Sequence, residues 1–204
     1  MVELSKVTMI LRGYTYEQVR GVAEVLLNAK YVRNMEITMN TEGAVETIRK
    51  IAAEYGDRLN VGAGTVQYLD ELKQVQAAGA VFALSPRMMS KEMLDFCKEH
   101  NMVSVPAGFT PSEVGELFDN GADIVKIFPA NELSLSYAKK LCEPMGNLKL
   151  MAVGGINKNN VREAFESGYQ YVGSAGGIFR KEDIKAGNLD SMRKSLKEFE
   201  EQLD

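Results

Sequence analysis

A single histidine, two cysteines and no block of basic residues set the first limits on this 204-residue chain. His100 lies in the polar stretch Lys98-Glu99-His100-Asn101, and no acidic cluster makes up for the missing imidazoles, so no set of metal ligands is expected. It reads as a solvated residue at a helix end. Cys97 and Cys142 are far apart and each falls within a helical pattern, which gives two packing residues and no disulfide framework. A net charge of −4 without a basic run argues against a nucleic-acid or anionic membrane surface. No apolar window approaches the ~18 residues of a spanning helix, and Met1 opens no charged and then apolar leader. A cytoplasmic address is therefore expected, and any catalysis must be organic, without metal or cofactor.

What is present is a regular alternation. With 45% hydrophobic and 25% charged residues the chain has material for a sizeable core, and no linker or low-complexity stretch divides it, so one domain over 1–204 is expected. Apolar, strand-like runs fall at 7–11, 34–39, 60–63, 81–85, 102–106, 124–128, 149–153 and 170–172. Helical patterns fall between and after them, at 16–28, 44–55, 69–78, 91–99, 111–120, 135–141, 159–166 and 189–203. Ala78-Gly79-Ala80, Asn120-Gly121-Ala122 and Ser167-Gly168-Tyr169 each put a glycine where a helix stops and a strand begins. Eight βα units predict a parallel α/β fold, a single (β/α)8 TIM barrel. A doubly wound sheet would carry its glycine fingerprint after the first strand, where Arg12-Gly13-Tyr14 stands instead.

Barrel sites lie at the C-terminal ends of the strands, and here those ends are polar. Arg12 ends the first strand, Glu36, Thr38 and Asn40 recur at spacing two on the second, Gly64-Thr65 ends the third and Ser85-Pro86 the fourth. Spacing two sets Glu36, Thr38 and Asn40 on the barrel axis, opposite Met35, Ile37 and Met39. The sixth strand, Asp123-Ile124-Val125-Lys126-Ile127-Phe128-Pro129-Ala130, holds a lysine in a run that is apolar on both faces. Lys126 is open to two readings: a snorkelling or ion-paired lysine, or a neutral amine that attacks a carbonyl to form a Schiff base. Lowering its pKa from about 10.4 to about 7 costs the ammonium roughly 4–5 kcal/mol, within what burial can impose. Glu36 is a counter-ion or a proton shuttle, Thr65 a helix cap or a carboxylate ligand, and Arg12 an anion ligand or one half of a surface ion pair. Two late glycine loops, Val153-Gly154-Gly155-Ile156 and Gly173-Ser174-Ala175-Gly176-Gly177, stand where this fold binds phosphate.

Glu36-Ile37-Thr38, Val61-Gly62-Ala63-Gly64-Thr65-Val66, Leu84-Ser85-Pro86, Val125-Lys126-Ile127-Phe128-Pro129-Ala130 and Val153-Gly154-Gly155-Ile156 together resemble the 2-keto-3-deoxy-6-phosphogluconate (KDPG) and 4-hydroxy-2-oxoglutarate (KHG) aldolase family. These are class I aldolases that include a 6-phosphogalactonate branch. The resemblance implies that Lys126 is the Schiff-base lysine, that Glu36 is the general acid/base acting through water, and that Arg12 and Thr65 bind the pyruvyl carboxylate and nearby oxygens. Gly154, Gly155 and the Gly173 to Gly177 loop, with Ser174 and Gly176, would hold phosphate, and Asn40, Pro86 and Phe128 complete the substrate-binding set. It further implies cleavage of a 2-keto-3-deoxy-6-phospho sugar acid to pyruvate and glyceraldehyde 3-phosphate, and a homotrimer. Asn40, where the gluconate branch often has arginine, and Ala152-Val153 before the glycine pair look more like the galactonate branch. Gly176 stands where a serine is common. Without the resemblance, a phosphate-binding barrel isomerase or epimerase, or a non-catalytic anion-binding barrel, fits the glycine loops as well.

Overall fold

Aliphatic residues buried on both faces of a strand need helices outside and a packed interior, and each strand here has both. In the computed structural model, which describes residues 2–204, the strands are β1 (Val7–Leu11), β2 (Val32–Thr38), β3 (Asn60–Gly64), β4 (Phe82–Leu84), β5 (Val103–Val105), β6 (Ala107–Gly108), β7 (Val125–Ile127), β8 (Leu150–Val153) and β9 (Tyr171–Ser174). The helices are α1 (Tyr16–Leu26), α2 (Ala44–Tyr55), α3 (Leu69–Ala77), α4 (Lys91–Glu99), α5 (Pro111–Asp119), α6 (Tyr137–Met145), α7 (Val161–Glu166), α8 (Lys181–Ala186) and α9 (Leu189–Glu200). The sheet runs β5-β4-β3-β2-β1-β9-β8-β7-β6 and all its pairs are parallel.

The two edges of that order are the two halves of one strand. β5 and β6 are separated only by Pro106, which brings no N–H to a ladder. The Ser85 N–H donates to the Val105 carbonyl at 3.1 Å and the Ala107 N–H to that of Arg87 at 3.0 Å. On the other side, the Ile124 N–H donates to Ser104 at 3.2 Å and the Lys126 N–H to the Pro106 carbonyl at 2.9 Å. Backbone bonds on both sides close the sheet into the expected eight-unit parallel barrel, with the proline interrupting one rung.

Alternation sorts the side chains cleanly. Met9, Leu11, Met35, Ile37, Val125, Ile127 and Val172 point outward to the helices and join the main core. Ile10, Phe82, Leu84, Val103, Val105, Ile124, Met151 and Val153 fill the barrel, with Leu4 of the N-terminal segment below them. Asn34 closes the bottom: its amide donates to the Ser5 carbonyl at 2.9 Å and to Thr8 Oγ1 at 3.1 Å, and its oxygen accepts from Ser5 N–H and from Asn60. A buried amide with these partners costs little and holds the plug in place.

Several boundaries differ from the sequence expectation. β2 stops at Thr38, because the chain turns there: the Thr41 N–H bonds to the Thr38 carbonyl at 2.9 Å and the two hydroxyls lie 3.0 Å apart. Asn40 is consequently an exposed turn residue, so the strand parity used to aim it at the axis does not reach it. The sixth helix, expected over 135–141, spans Tyr137–Met145 with Pro144 in its last turn, after serines 134 and 136 have bonded each other in the preceding loop. The last helix ends at Glu200, short of 203. α8 carries no long apolar pattern and was not foreseen.

The inward glycines of β3 make room for their neighbours. A Cβ on Gly64 would lie 1.5 Å from Glu36 Oε1, and one on Gly62 would lie 2.5 Å from the Phe82 ring. Gly64→Ala is therefore expected to destabilise the fold by ~1–3 kcal/mol, the usual cost of overpacking. Adding Glu36→Ala should recover most of it, while Gly176→Ala, which meets nothing within 4 Å, should change little. Urea midpoints of the three variants check this; a Gly64→Ala chain as stable as the parent would refute the packing account.

Candidate active site

Lys126 sits mid-strand on β7 with its side chain inside the barrel, flanked on the same face by Ile124 and Phe128. Only 5% of it is exposed, and its Nζ lies 5.1 Å from the centre of the Phe128 ring. Burial is the main reason its pKa falls from 10.5 to about 8; Arg12 adds to the fall and the Glu36 carboxylate opposes it. Glu36, 3% exposed on β2, moves the other way: burial lifts its carboxyl from 4.5 to about 7 against the pull of Lys126 and Arg12. Its Oε2 has no hydrogen-bond partner. Neither residue forms an ion pair among the described residues. A buried carboxylate oxygen without a partner and an amine poised near neutrality are held for something other than stability.

Arg12 follows β1 directly, exposed at the barrel mouth and free of ion pairs, so the surface-salt-bridge alternative is not what the fold uses. Its loop is anchored from β2: the Gly13 N–H donates to Thr41 Oγ1 at 2.9 Å, and Thr41 is bonded to Thr38. Thr41 was invisible to strand periodicity because it lies beyond the strand.

Thr65 does not cap a helix. The cap of α3 is at Tyr68, and Thr65 holds a left-handed φ of +57°, which is uncommon for a β-branched residue and costs of order 1–3 kcal/mol. Strain of that size at the rim next to Gly64 and Glu36 suits a group positioned for a ligand.

Arg12, Phe128, Val153, Gly154, Gly155, Ser174 and Gly176 come together around a cavity of about 420 Å³ at the barrel mouth. Gly154 and Gly155 have φ of +115° and +73°, and a Cβ on them would lie 2.7 Å from Asn131 Oδ1 and 2.9 Å from Asn131 Cβ. They are glycines because the loop after β7 packs on them. Ser174 is buried, donates its hydroxyl to the Ile156 carbonyl at 2.6 Å and accepts from the Gly177 N–H at 3.1 Å. Its hydroxyl thereby joins the two glycine loops. Gly176 faces open space. Pro86 lies across the mouth, against Phe128, in a second cavity of about 350 Å³. Asn40 stays exposed in its turn.

Elsewhere, His100 stacks on Phe96 at 4.0 Å and its Nδ1 meets the Phe96 carbonyl, an exposed helix end as expected. Cys97 is buried, which pushes its thiol up to about 12, and Cys142 is half-buried; both are free. Among the described residues no helix is long and apolar enough to cross a membrane. In a cavity of about 440 Å³ behind the Gly176-Gly177 loop, two of the cations, Lys158 and Arg180, are paired with Glu198 and Asp183.

Comparison with known proteins agrees with the motifs. Residues 1–195 match the model of the KDPG and KHG aldolase family. A 2-dehydro-3-deoxy-phosphogluconate aldolase of Pseudoalteromonas atlantica is 32% identical over 170 residues, covering 82% of this chain and 77% of that protein. A KHG/KDPG aldolase of Escherichia coli (strain K12) is also 32% identical over 170 residues, with coverages of 82% and 78%. A solved KDPG aldolase from Legionella pneumophila, with pyruvate captured at low pH as a covalent carbinolamine intermediate, superposes with a TM-score of 0.84 at 27% identity, over 94% of this chain and 92% of that one.

Shifts in opposite directions on two buried groups mean that both ionised forms oppose folding. Each displacement, from 10.5 to about 8 and from 4.5 to about 7, corresponds to roughly 3 kcal/mol with the mutual attraction already included. The lysine's cost is absent above pH 10.5 and complete below about 8; the glutamate's is absent below pH 4.5 and complete above about 7. The neutral pair Glu36→Gln/Lys126→Met should therefore be more stable than the parent by ~1–4 kcal/mol, most of all between pH 7 and 8. Thermal melts across pH check it, at ~2–4 °C per kcal/mol for a chain of this size. A double variant that melts lower at pH 7.5 would contradict the desolvation account.

Proposed function

Because the chain belongs to the KDPG and KHG aldolase family, we propose that it is a class I aldolase in which Lys126 attacks the C2 carbonyl of a 2-keto-3-deoxy-6-phospho sugar acid. The observation that carries this is the buried Lys126 beside a buried Glu36 with an unpaired oxygen. The amine lone pair forms the N–C2 bond and the carbonyl oxygen takes a proton, giving a carbinolamine. Glu36, acting through water, protonates the hydroxyl, which leaves as water, and an iminium remains. Removal of the C4 hydroxyl proton breaks the C3–C4 bond; its electron pair moves into the iminium as an enamine and glyceraldehyde 3-phosphate departs. Protonation at C3 and hydrolysis then release pyruvate and the free lysine.

The backbone N–H groups of the loops at Gly154, Gly155 and Gly176 take the phosphate, and Arg12, which lines the same cavity, joins them there in place of the carboxylate role the family resemblance implied. Thr65 meets the pyruvyl oxygens, and Asn40, Pro86 and Phe128 shape the remaining surface. 4-Hydroxy-2-oxoglutarate, cleaved to pyruvate and glyoxylate, is the second substrate, supported by the KHG/KDPG name of the Escherichia coli relative. A cytoplasmic homotrimer is the assembly this reading carries.

Borohydride reduction in the presence of pyruvate should attach a pyruvyl group to Lys126, identified by peptide mass mapping and absent in Lys126→Ala. A folded parent chain with no adduct would sink the aldolase reading. Glu36→Gln should still be trapped while turnover falls by ~10²–10⁴-fold, the usual worth of a general acid/base.

The pair also predicts a narrow pH optimum. Below about 7 both groups keep their protons and the lysine has no lone pair; above about 8 both lose them and no acid remains to expel water. Turnover should form a bell with its maximum between those values. In Glu36→Gln the carboxylate that raises the lysine pKa is gone, so adduct formation should persist to lower pH. A flat profile from pH 6 to 9 would argue against this pair.

A further inference from the structure

Phe128 divides the barrel mouth. The Arg12 and glycine-loop cavity lies on one side of its ring, and the cavity walled by Pro86, Arg87, Phe109 and Glu113 lies on the other. The Phe128 ring that lines both stands 5.1 Å from Lys126 Nζ. A 2-oxo acid joined to that nitrogen through C2 sends its C1 carboxylate one way and the rest of its chain the other. Two anionic ends thus leave one attachment point in opposite directions. The first cavity accounts for the phosphate.

We propose that Arg87, on the loop after β4, is a substrate-binding residue that receives the C1 carboxylate in the second cavity. The inference rests on the Schiff-base reading above. Arg87 is exposed and, among the described residues, forms no ion pair. Its guanidinium is 5.8 Å from the ring of Tyr68, three residues beyond Thr65, and so leans toward the loop that carries the strained threonine. Its backbone is fixed on both sides: the N–H donates to Ser85 Oγ at 3.3 Å and the carbonyl accepts from Ala107 at 3.0 Å.

Glu113, the anion in this cavity, does not claim the arginine. One of its oxygens accepts from the N–H groups of Phe109 and Thr110 at 2.9 and 2.8 Å and from the Thr110 hydroxyl at 3.0 Å, capping α5, and these bonds hold its pKa below the ordinary value. Thr65, the other polar group assigned to this end of the substrate, is neutral. Arg87 is the residue there that offers a carboxylate a full positive charge and two parallel donors.

The test compares borohydride trapping of pyruvate with that of its methyl ester, which keeps the ketone and loses the anion. In Arg87→Gln, half-saturation for pyruvate should rise at least tenfold while that for methyl pyruvate stays within twofold, and Arg87→Lys should recover part of the loss. An unchanged urea midpoint shows that the fold is intact. If Arg87→Gln leaves pyruvate trapping within twofold of the parent, or weakens acid and ester equally, the assignment is overturned. A parent chain that traps neither compound overturns the Schiff-base reading itself, and Arg87's role with it.

Discussion

Everything at the mouth of this barrel depends on the cost of holding charge in an apolar interior. Lys126 and Glu36 are nearly inaccessible, and burial outweighs their attraction for each other in both displacements. An open pair on a surface would settle near 10.5 and 4.5 and would have no shared window near neutrality. The closed sheet creates that window, and closure hangs on the chain from Val103 to Gly108. A proline in an interior strand is usually a defect. Here the Pro106 carbonyl still receives the Lys126 N–H, so the interrupted strand and the lysine's strand share a rung. The lysine's backbone is pinned at the point where its side chain must be unsolvated.

Room for the carboxylate is obtained by subtraction. β3 presents Gly62 and Gly64 inward, and the space they leave is filled by the Phe82 ring and the Glu36 side chain. The next residue, Thr65, carries the strain of leaving the strand with a positive φ. Glycine thus admits the acid, and the acid meets the lysine's field. The loops after β8 and β9 follow the same logic, with glycines where Asn131 and the Ile156 carbonyl come close. Ser174 spends its hydroxyl on knitting those loops together.

The strand order and the lysine were readable from residues because both rest on period-two burial, which each strand displays on two faces. Helix starts were readable where a cap carries its own chemistry, as at Thr110-Pro111 with Glu113 three residues after the threonine. Asn40 and Ser174 were harder because their roles depend on partners far away in sequence or on a turn that ends the periodic region. Thr41 and Arg87 escaped for a related reason. Loop residues carry no periodicity, and only the folded geometry brings Thr41 under Gly13 or Arg87 toward Tyr68. Gly64 was seen as a strand end, while its need for no Cβ appears only once Glu36 is placed beside it.

Charge placement around the mouth follows from the same cost. In the proposed mechanism a cation on Lys126 Nζ must appear and vanish within each turnover, so permanent positive charge close to it would depress the iminium as well as the ammonium. Arg12 already lowers the lysine's pKa, yet it is exposed at the rim, where water screens most of its field. On the proposed reading, Arg12 and Arg87, on loops beyond the strands and on either side of Phe128, hold a substrate with two charged ends. The proposed mechanism then leaves proton exchange in the interior to Glu36 and Lys126 alone.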